Sequence, residues 1–195
     1  MTRIFDILLA TLGLVILSPL LIFVYVAIVL ESRGGGFYRQ ERTGRYGKPF
    51  RLIKFRSMYV NADKHGLITV GGHDNRITRV GYYIRKYKID ELPQLINVVM
   101  GDMSIVGPRP EVKKYTDLYT EEQRKILDIR PGITDYASIK YVDENEILGT
   151  SDNPERTYIE HIMPDKIKLN MIYISQNGIK EYFKIIFLTL TNIAR

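Results

Sequence analysis

The 195-residue sequence contains no cysteine. That absence excludes disulfide frameworks, thiolate nucleophiles and cysteine-based zinc sites, and it agrees with a domain facing the cytoplasm. Histidine is scarce too: His65, His73 and His161 lack metal-ligand spacing and read as surface or loop residues. No internal repeat or low-complexity tract is present. Acidic residues are outnumbered, 22 against 28 Lys and Arg, yet no helix-turn-helix, RNP-like or zinc-finger pattern accompanies the excess, so nucleic acid is not an expected partner. The length suffices for one membrane-associated domain with a modest core, and is too short for two full domains besides an anchor.

What the sequence does have is one long run without charge. Residues 7 to 30, ILLATLGLVILSPLLIFVYVAIVL, would cover roughly 36 Å as straight helix against a hydrocarbon core of about 30 Å. The run is longer than a signal-peptide core and no clear small-x-small cleavage site follows it, so a retained membrane segment is expected. Ser18-Pro19 falls in its middle. Proline deletes a backbone hydrogen bond there, and a serine hydroxyl can satisfy the freed carbonyl, so a kink is predicted. Physics alone slightly favours a tilted, kinked single span. Charge counting does not arbitrate, because Arg3 flanks one end and Arg33, Arg39 and Arg42 the other, a distribution compatible with both ends facing the cytoplasm.

After a glycine-rich exit at Arg33-Gly34-Gly35-Gly36, the alternating stretch from Phe37 to Phe55, interrupted by Thr43-Gly44 and Gly47-Lys48-Pro49, predicts a twisted β-hairpin. Residues 33 to 88 hold 14 Lys or Arg against Glu41, Asp63 and Asp74. Such a face attracts anionic lipid headgroups at about 1 kcal/mol per residue near the surface. At the other end, Ile179, Tyr182, Phe183, Ile186, Phe187, Leu190, Ile193 and Ala194 share one helical face, suited to packing on a core, lying in the membrane interface, or both.

Residues 90 to 110, DELPQLINVVMGDMSIVGPRP, carry the chemistry. Leu92, Leu95, Ile96, Val99, Met100 and Met103 recur at helical spacing and predict a buried stripe on a helix beginning near Asp90. Asp90 fits its N-cap, with Pro93 tolerated in the first turn. Asp90 and Glu91 would then sit at a helix N-terminus, where unpaired N–H groups favour phosphate anions. The dipeptide alone reads more readily as ordinary capping. Arg109, held between Pro108 and Pro110, is either a phosphate clamp or an exposed arginine on a rigid turn. Arg130-Pro131-Gly132 carries less weight and reads equally as a turn.

The string DELPQLINVVMGDMSIVGPRP closely resembles the signature of the bacterial monotopic phosphoglycosyl transferases, the initiating sugar transferases of surface glycan assembly. The resemblance extends through FYRQERTGRYGKPFRLIKFRSM (37 to 58), RITRVGYYIRK (76 to 86) and RPGIT (130 to 134). It implies an α+β, mostly helical monotopic protein at the cytoplasmic face of the bacterial inner membrane. In that family the Ser-Pro pair breaks the membrane helix so that it enters and leaves by one face. The expected organisation is a re-entrant anchor at 1–33 and a catalytic domain at 34–195 with a small β-hairpin and amphipathic interfacial helices. The implied activity moves a sugar 1-phosphate from a nucleoside diphosphate sugar, usually a UDP-sugar, to a polyprenol phosphate. Partners would be these two substrates and membrane lipids, with a homo-oligomer left open.

The resemblance also assigns roles. Lys54, Arg56, Arg85 and Arg109 would grip substrate phosphate. A carboxylate nucleophile repels a diphosphate, so cations are needed, and Mg²⁺ bound through Asp90 joins the basic side chains in that task. Asp90 would attack the sugar-bearing phosphate to give an acyl phosphate, with Glu91 orienting groups or managing protons. A direct ternary displacement, and a non-catalytic anion-binding scaffold on the same fold, are the alternatives. The chain departs from the common pattern after RPGIT: at Asp135 to Glu146 the family's usual Gly-Arg pair is absent, which leaves base contacts and sugar identity, and the role of 135–165, open.

Overall fold

The uncharged run becomes the first element, α1 (Thr2–Glu31), in a computed structural model that describes residues 2–62, 74–176 and 178–193. Asp63, Lys64, His65 and His73 therefore lie outside the described residues, as does Ala194. By length and composition α1 is able to cross a membrane. Pro19 lies inside it, so the predicted break is not a gap between two helices. Its local signature is a substituted bond: Pro19 has no N–H for the Val15 carbonyl, and the Ser18 hydroxyl donates to that oxygen instead at 2.8 Å.

Burial along α1 is confined to Asp6, Ala10, Val24 and Ile28. Between them Val15, Ile16, Ile22 and Phe23 are 65–71 % exposed. Both ends are nonetheless held by the same folded body. Near the N-terminus Ala10 packs with Leu52, Val98 and Met103, and the Arg3 guanidinium donates to the carbonyls of Val98 (2.7 Å), Val99 (3.1 Å) and Met103 (3.3 Å). Asp6 Oδ1 accepts from Ser104 Oγ, Ile105 N and Tyr182 Oη, each at 2.9 Å. At the far end Val24 and Ile28 pack with Phe55 and Ile84, while Glu31 accepts the N–H groups of Arg79 and Val80.

The hairpin forms as the alternation predicts. Strand β1 (Phe37–Thr43) pairs antiparallel with β2 (Pro49–Phe55), Phe37 opposite Phe55 and Thr43 opposite Pro49. Helix α2 (Arg79–Lys86) is capped by Thr78, whose hydroxyl accepts from Gly81 N. A Cβ at Gly81 would lie 1.9 Å from the Ser57 carbonyl oxygen, so only glycine lets α2 approach the end of the hairpin this closely.

The helix expected from Asp90 starts later. Ile89–Glu91 form a 3₁₀ turn entered through left-handed Lys88, and α3 runs from Gln94 to Met100 with Pro93 as its N-cap. Asp90 therefore precedes the helix and does not cap it. The buried stripe is also rotated from the predicted one: Val99 and Met100 are 39 % and 66 % exposed, whereas Gln94, Asn97 and Val98 are buried. Asn97 is inside because its amide completes the β2 edge, accepting from Ile53 N and donating to Arg51 O, both at 2.9 Å.

A second, parallel pair joins β3 (Ser104–Val106) to β4 (Gly132–Thr134). Gly107 and Gly132 abut there, a Cβ on the latter falling 2.1 Å from Gly107 N. The contact pins the Pro108 end of the Pro108-Arg109-Pro110 turn, where Gly132 N donates to the Pro108 carbonyl at 2.9 Å. The remaining helices are α4 (Lys113–Thr116), α5 (Glu121–Arg124), α6 (Tyr136–Lys140), α7 (Glu144–Gly149), α8 (Pro154–Thr157), a π-helical turn at Tyr158–Ile162, α9 (Met163–Ser175) and α10 (Ile179–Ile193). Tyr115, Ile126, Leu148, Tyr158, Met163 and Ile167 form the core between them. Helix α10 buries Tyr182 and Ile185 against Val106 and Tyr173, so Phe183, Phe187 and Leu190 stay 40–66 % exposed and the predicted single face is divided. Phe183 meets Phe5 of α1 edge to face, with centroids 5.2 Å apart.

Candidate active site

Strand alternation sends Tyr38, Gln40 and Arg42 of β1 to the same side as Lys54 of β2, and these four line a cleft of about 620 Å³. Asp90, Arg85 and Arg109 line it as well. The 3₁₀ turn supplies the two carboxylates, and its backbone sends them to different partners.

Glu91 is fully engaged. Lys54 Nζ donates to Oε1 at 2.9 Å, and Arg109 forks onto both oxygens, Nη1 to Oε2 at 3.0 Å and Nη2 to Oε1. Burial alone would raise the Glu91 pKa, but the charges of Arg109 and Lys54 outweigh it and hold the carboxyl well below its ordinary value. Burial also draws the Lys54 ammonium down, against the opposing pull of Glu91. Arg109 is pushed further up by Glu91.

Asp90 is the opposite case. It is 7 % exposed and, among the described residues, its carboxylate accepts no hydrogen bond. Burial first, and the neighbouring Glu91 charge second, raise its pKa, with Lys54, Arg85 and Arg109 pulling the other way. The pair thus divides into a neutralised structural carboxylate and an unpartnered one facing the cleft, a pattern that marks reactive groups.

Of the other candidates, Arg85 Nη1 lies 3.4 Å from Ser57 Oγ and leaves the rest of its fork toward the cleft. Arg56 lines the cleft as well, with much of its guanidinium turned to the chain that leaves α1. Its guanidinium donates to the carbonyls of Arg33 (2.6 Å), Ser32 (2.9 Å) and Gly34 (3.4 Å), so it ties the exit of α1 to the hairpin, and its buried Nε has no partner. Arg130 is likewise spent on the Gly101 carbonyl at 3.0 Å. Ser18 and Pro19 lie on α1, apart from the cleft residues. No group of three or more His, Cys, Asp or Glu gathers to hold a metal among the described residues. Mg²⁺ asks the protein for only one or two carboxylates, and Asp90 is a cleft carboxylate that could supply one.

Sequence reasoning missed Arg42. It donates to the Pro110 carbonyl at 3.1 Å and to Gln40 Oε1, and reaches within 3.9 Å of Glu111. The signal was present, since it alternates with Tyr38 and Gln40 on the face that carries Lys54. Glu111, Glu144, Asn145, Tyr158 and Lys166 complete the wall; three of them come from the divergent 135–165 region.

The family model for bacterial sugar transferases matches residues 1–195. The chain is similar to the UDP-N-acetylgalactosamine-undecaprenyl-phosphate N-acetylgalactosaminephosphotransferase of Aeromonas hydrophila, 44 % identical over 69 % of this chain and 32 % of the relative. It is similar to the UDP-glucose:undecaprenyl-phosphate glucose-1-phosphate transferases of Escherichia coli K12, 36 % identical over 95 % of this chain and 38 % of the relative, and of Caulobacter vibrioides, 34 % over 98 % and 68 %. The chain thus spans about a third of the first two relatives and 68 % of the third. With the match running from α1 through the Asp90-Glu91 turn to α10, the chain belongs to the bacterial sugar transferase family.

Proposed function

We propose that the protein is a phosphoglycosyl transferase that moves a sugar 1-phosphate from a UDP-sugar to undecaprenyl phosphate, releasing UMP and starting a surface polysaccharide or glycoconjugate. The observation that carries this is the buried, unpartnered Asp90 carboxylate beside cations already organised by Glu91, in a cleft that also receives Gly34, Gly35 and Phe37 from the exit of the membrane helix.

In this reading Arg85, Lys54 and Arg109 hold the donor diphosphate. Those three cations face two carboxylates, leaving too little positive charge for a diphosphate; Asp90 would hold Mg²⁺ there, which would supply charge neutralisation. Asp90 Oδ attacks the sugar-bearing phosphorus, the bond to the UMP oxygen breaks, and UMP leaves with the electron pair. A phosphate oxygen of undecaprenyl phosphate then attacks the same phosphorus and restores the Asp90 carboxylate. Glu91 keeps Lys54 and Arg109 in register throughout.

Membrane placement follows from α1. Its two ends rest on one body while its middle is apolar and uncovered, which favours a re-entrant segment with both ends on the cytoplasmic side. The test is UMP release from a panel of UDP-sugars with and without undecaprenyl phosphate. A burst of one UMP per protein with donor alone, lost in Asp90→Asn, supports the covalent route. Release strictly dependent on acceptor favours a ternary displacement, and no release from any donor refutes the transferase reading in favour of a scaffold.

A further inference from the structure

Beyond Arg109 the cleft continues into a wall that phosphate grip does not use. Glu111 follows the Pro108-Arg109-Pro110 turn, and its carboxylate accepts from the Tyr158 hydroxyl. Lys166 Nζ bridges Glu144 at 2.9 Å and Glu111 at 3.7 Å, with Arg42 3.9 Å from Glu111 on the other side. Lys166 is only 8 % exposed, so the bridge is fixed from beneath. Asn145, exposed at the start of α7, and Tyr115 line the same space. The two carboxylates balance Lys166 and Arg42, leaving a wall that is polar without net charge. It opens onto the same cleft as the buried, unpartnered Asp90.

Carboxylates accept hydrogen bonds and do not donate them. A diphosphate is repelled by such oxygens. Uracil presents two carbonyl acceptors and a single N–H, a poor match, whereas a hexose presents a ring of hydroxyl donors. Position points the same way. Glu111 is two residues from Arg109, at most about 7 Å along the chain, which is the reach of one sugar ring from the gripped phosphate. The transferred sugar hangs directly on the phosphorus facing Asp90; the nucleoside is one phosphate further away. We infer that Glu111 and Glu144, held apart by Lys166 and flanked by Asn145, form the subsite that reads the hydroxyls of the donor sugar and so sets which sugar is transferred. The assignment rests on the phosphoglycosyl transfer reading above.

A site that hydrogen-bonds a hydroxyl discriminates sharply against a donor that misplaces it, because its own polar groups are then left unpaired. The experiment compares wild type, Glu144→Gln and Asn145→Ala in UMP release from pairs of UDP-hexoses that differ only at C4, and in competitive inhibition by UMP. Asn145 and the partly exposed Glu144 are chosen because their replacement leaves the core intact. The expected result is a tenfold or larger change in the ratio of kcat/KM between the two epimers in at least Glu144→Gln, with UMP inhibition unchanged within twofold. Equal loss for both epimers would overturn the subsite and leave the wall a scaffold. Parallel weakening of UMP inhibition with an unchanged epimer ratio would overturn it in favour of the ribose, whose diol offers the same chemistry. A wild type that turns over no donor would fail at the earlier step and take the assignment with it.

Discussion

Asp6 provides a direct test of where the N-terminal end of α1 resides. Its Oδ1 accepts three hydrogen bonds at 2.9 Å, from Ser104 Oγ, Ile105 N and Tyr182 Oη, and the residue is 2 % exposed. Each bond to a charged acceptor is worth about 1.5–3 kcal/mol, and removing one partner of a buried charged network costs about 3–5 kcal/mol. Asp6→Ala should therefore destabilise by about 3–5 kcal/mol, and Tyr182→Phe by about 1.5–3 kcal/mol. Asp6→Asn keeps an acceptor oxygen and should fall between wild type and alanine. The double variant Asp6→Ala/Tyr182→Phe loses the shared bond once, so a coupling of at least about 1 kcal/mol is expected. Read as thermal unfolding in lipid nanodiscs, Asp6→Ala lowers Tm by roughly 6–20 °C for a chain of this size. An Asp6→Ala effect below about 0.5 kcal/mol, or strict additivity with Tyr182→Phe, would show that Asp6 does not rest against β3 and α10. The same-side placement of the two ends of α1 would then lose its support.

Asp90→Asn should abolish turnover yet stabilise the fold at neutral pH: a carboxyl whose folded pKa is raised gives its stability below the unfolded pKa and loses it as pH rises through the folded one, so the gain over wild type in metal-free thermal unfolding should vanish in acid. Glu91→Gln should do the reverse, because a depressed pKa gives stability above the unfolded value near 4.3, lost only as pH falls below it; a variant as stable as wild type at pH 7 would contradict the Lys54–Glu91–Arg109 arrangement. Arg42→Ala should reduce UMP release about tenfold or more by freeing the Pro110 carbonyl and Glu111, whereas Arg45→Ala, whose Nε meets only the Asp128 carbonyl at the surface, should change it less than twofold; equal effects would remove the distinction. With cysteines introduced at position 2 and in the catalytic domain, labelling of both from the cytoplasmic side is expected in wild type, and replacing Ser18 and Pro19 with Leu should shift position 2 toward the opposite face.

The readable parts of the sequence were those in which one physical signal dominates. A charge-free run specifies α1, and glycine and proline at 44, 47 and 49 bound a hairpin whose alternation carries through to the register. Asp90, Glu91 and Arg109 were legible as a motif, and the structure does bring them together. What was lost involves polar groups doing apolar work. Asn97 is buried because its side-chain amide closes a strand edge, which no hydrophobic period reports, so the predicted α3 stripe holds at Leu95 and Met103 and fails at Val99 and Met100. Arg56 lines the cleft as KFRSM suggests, but its bonds to three backbone carbonyls at the exit of α1 are a long-range outcome invisible in that motif. The β3–β4 pair is three residues a side, too short to show a period. The wall of Glu111, Glu144 and Lys166 joins residues 22 to 55 positions apart, so only the packing of α7 and α9 reveals it.

The bond between Asp6 and Tyr182 joins residues 176 positions apart, and that separation has a consequence in time. A ribosome adding about 5–20 residues each second needs roughly 9–35 s to travel from one to the other. For that interval Asp6 lacks the last of its three donors, while the apolar stretch behind it is already complete. Residues 7 to 30 are apolar enough to enter a bilayer, so under the membrane placement proposed above α1 would insert first and Asp6 would dock only once α10 arrives to receive it. The order of synthesis therefore makes α10 the latch of α1.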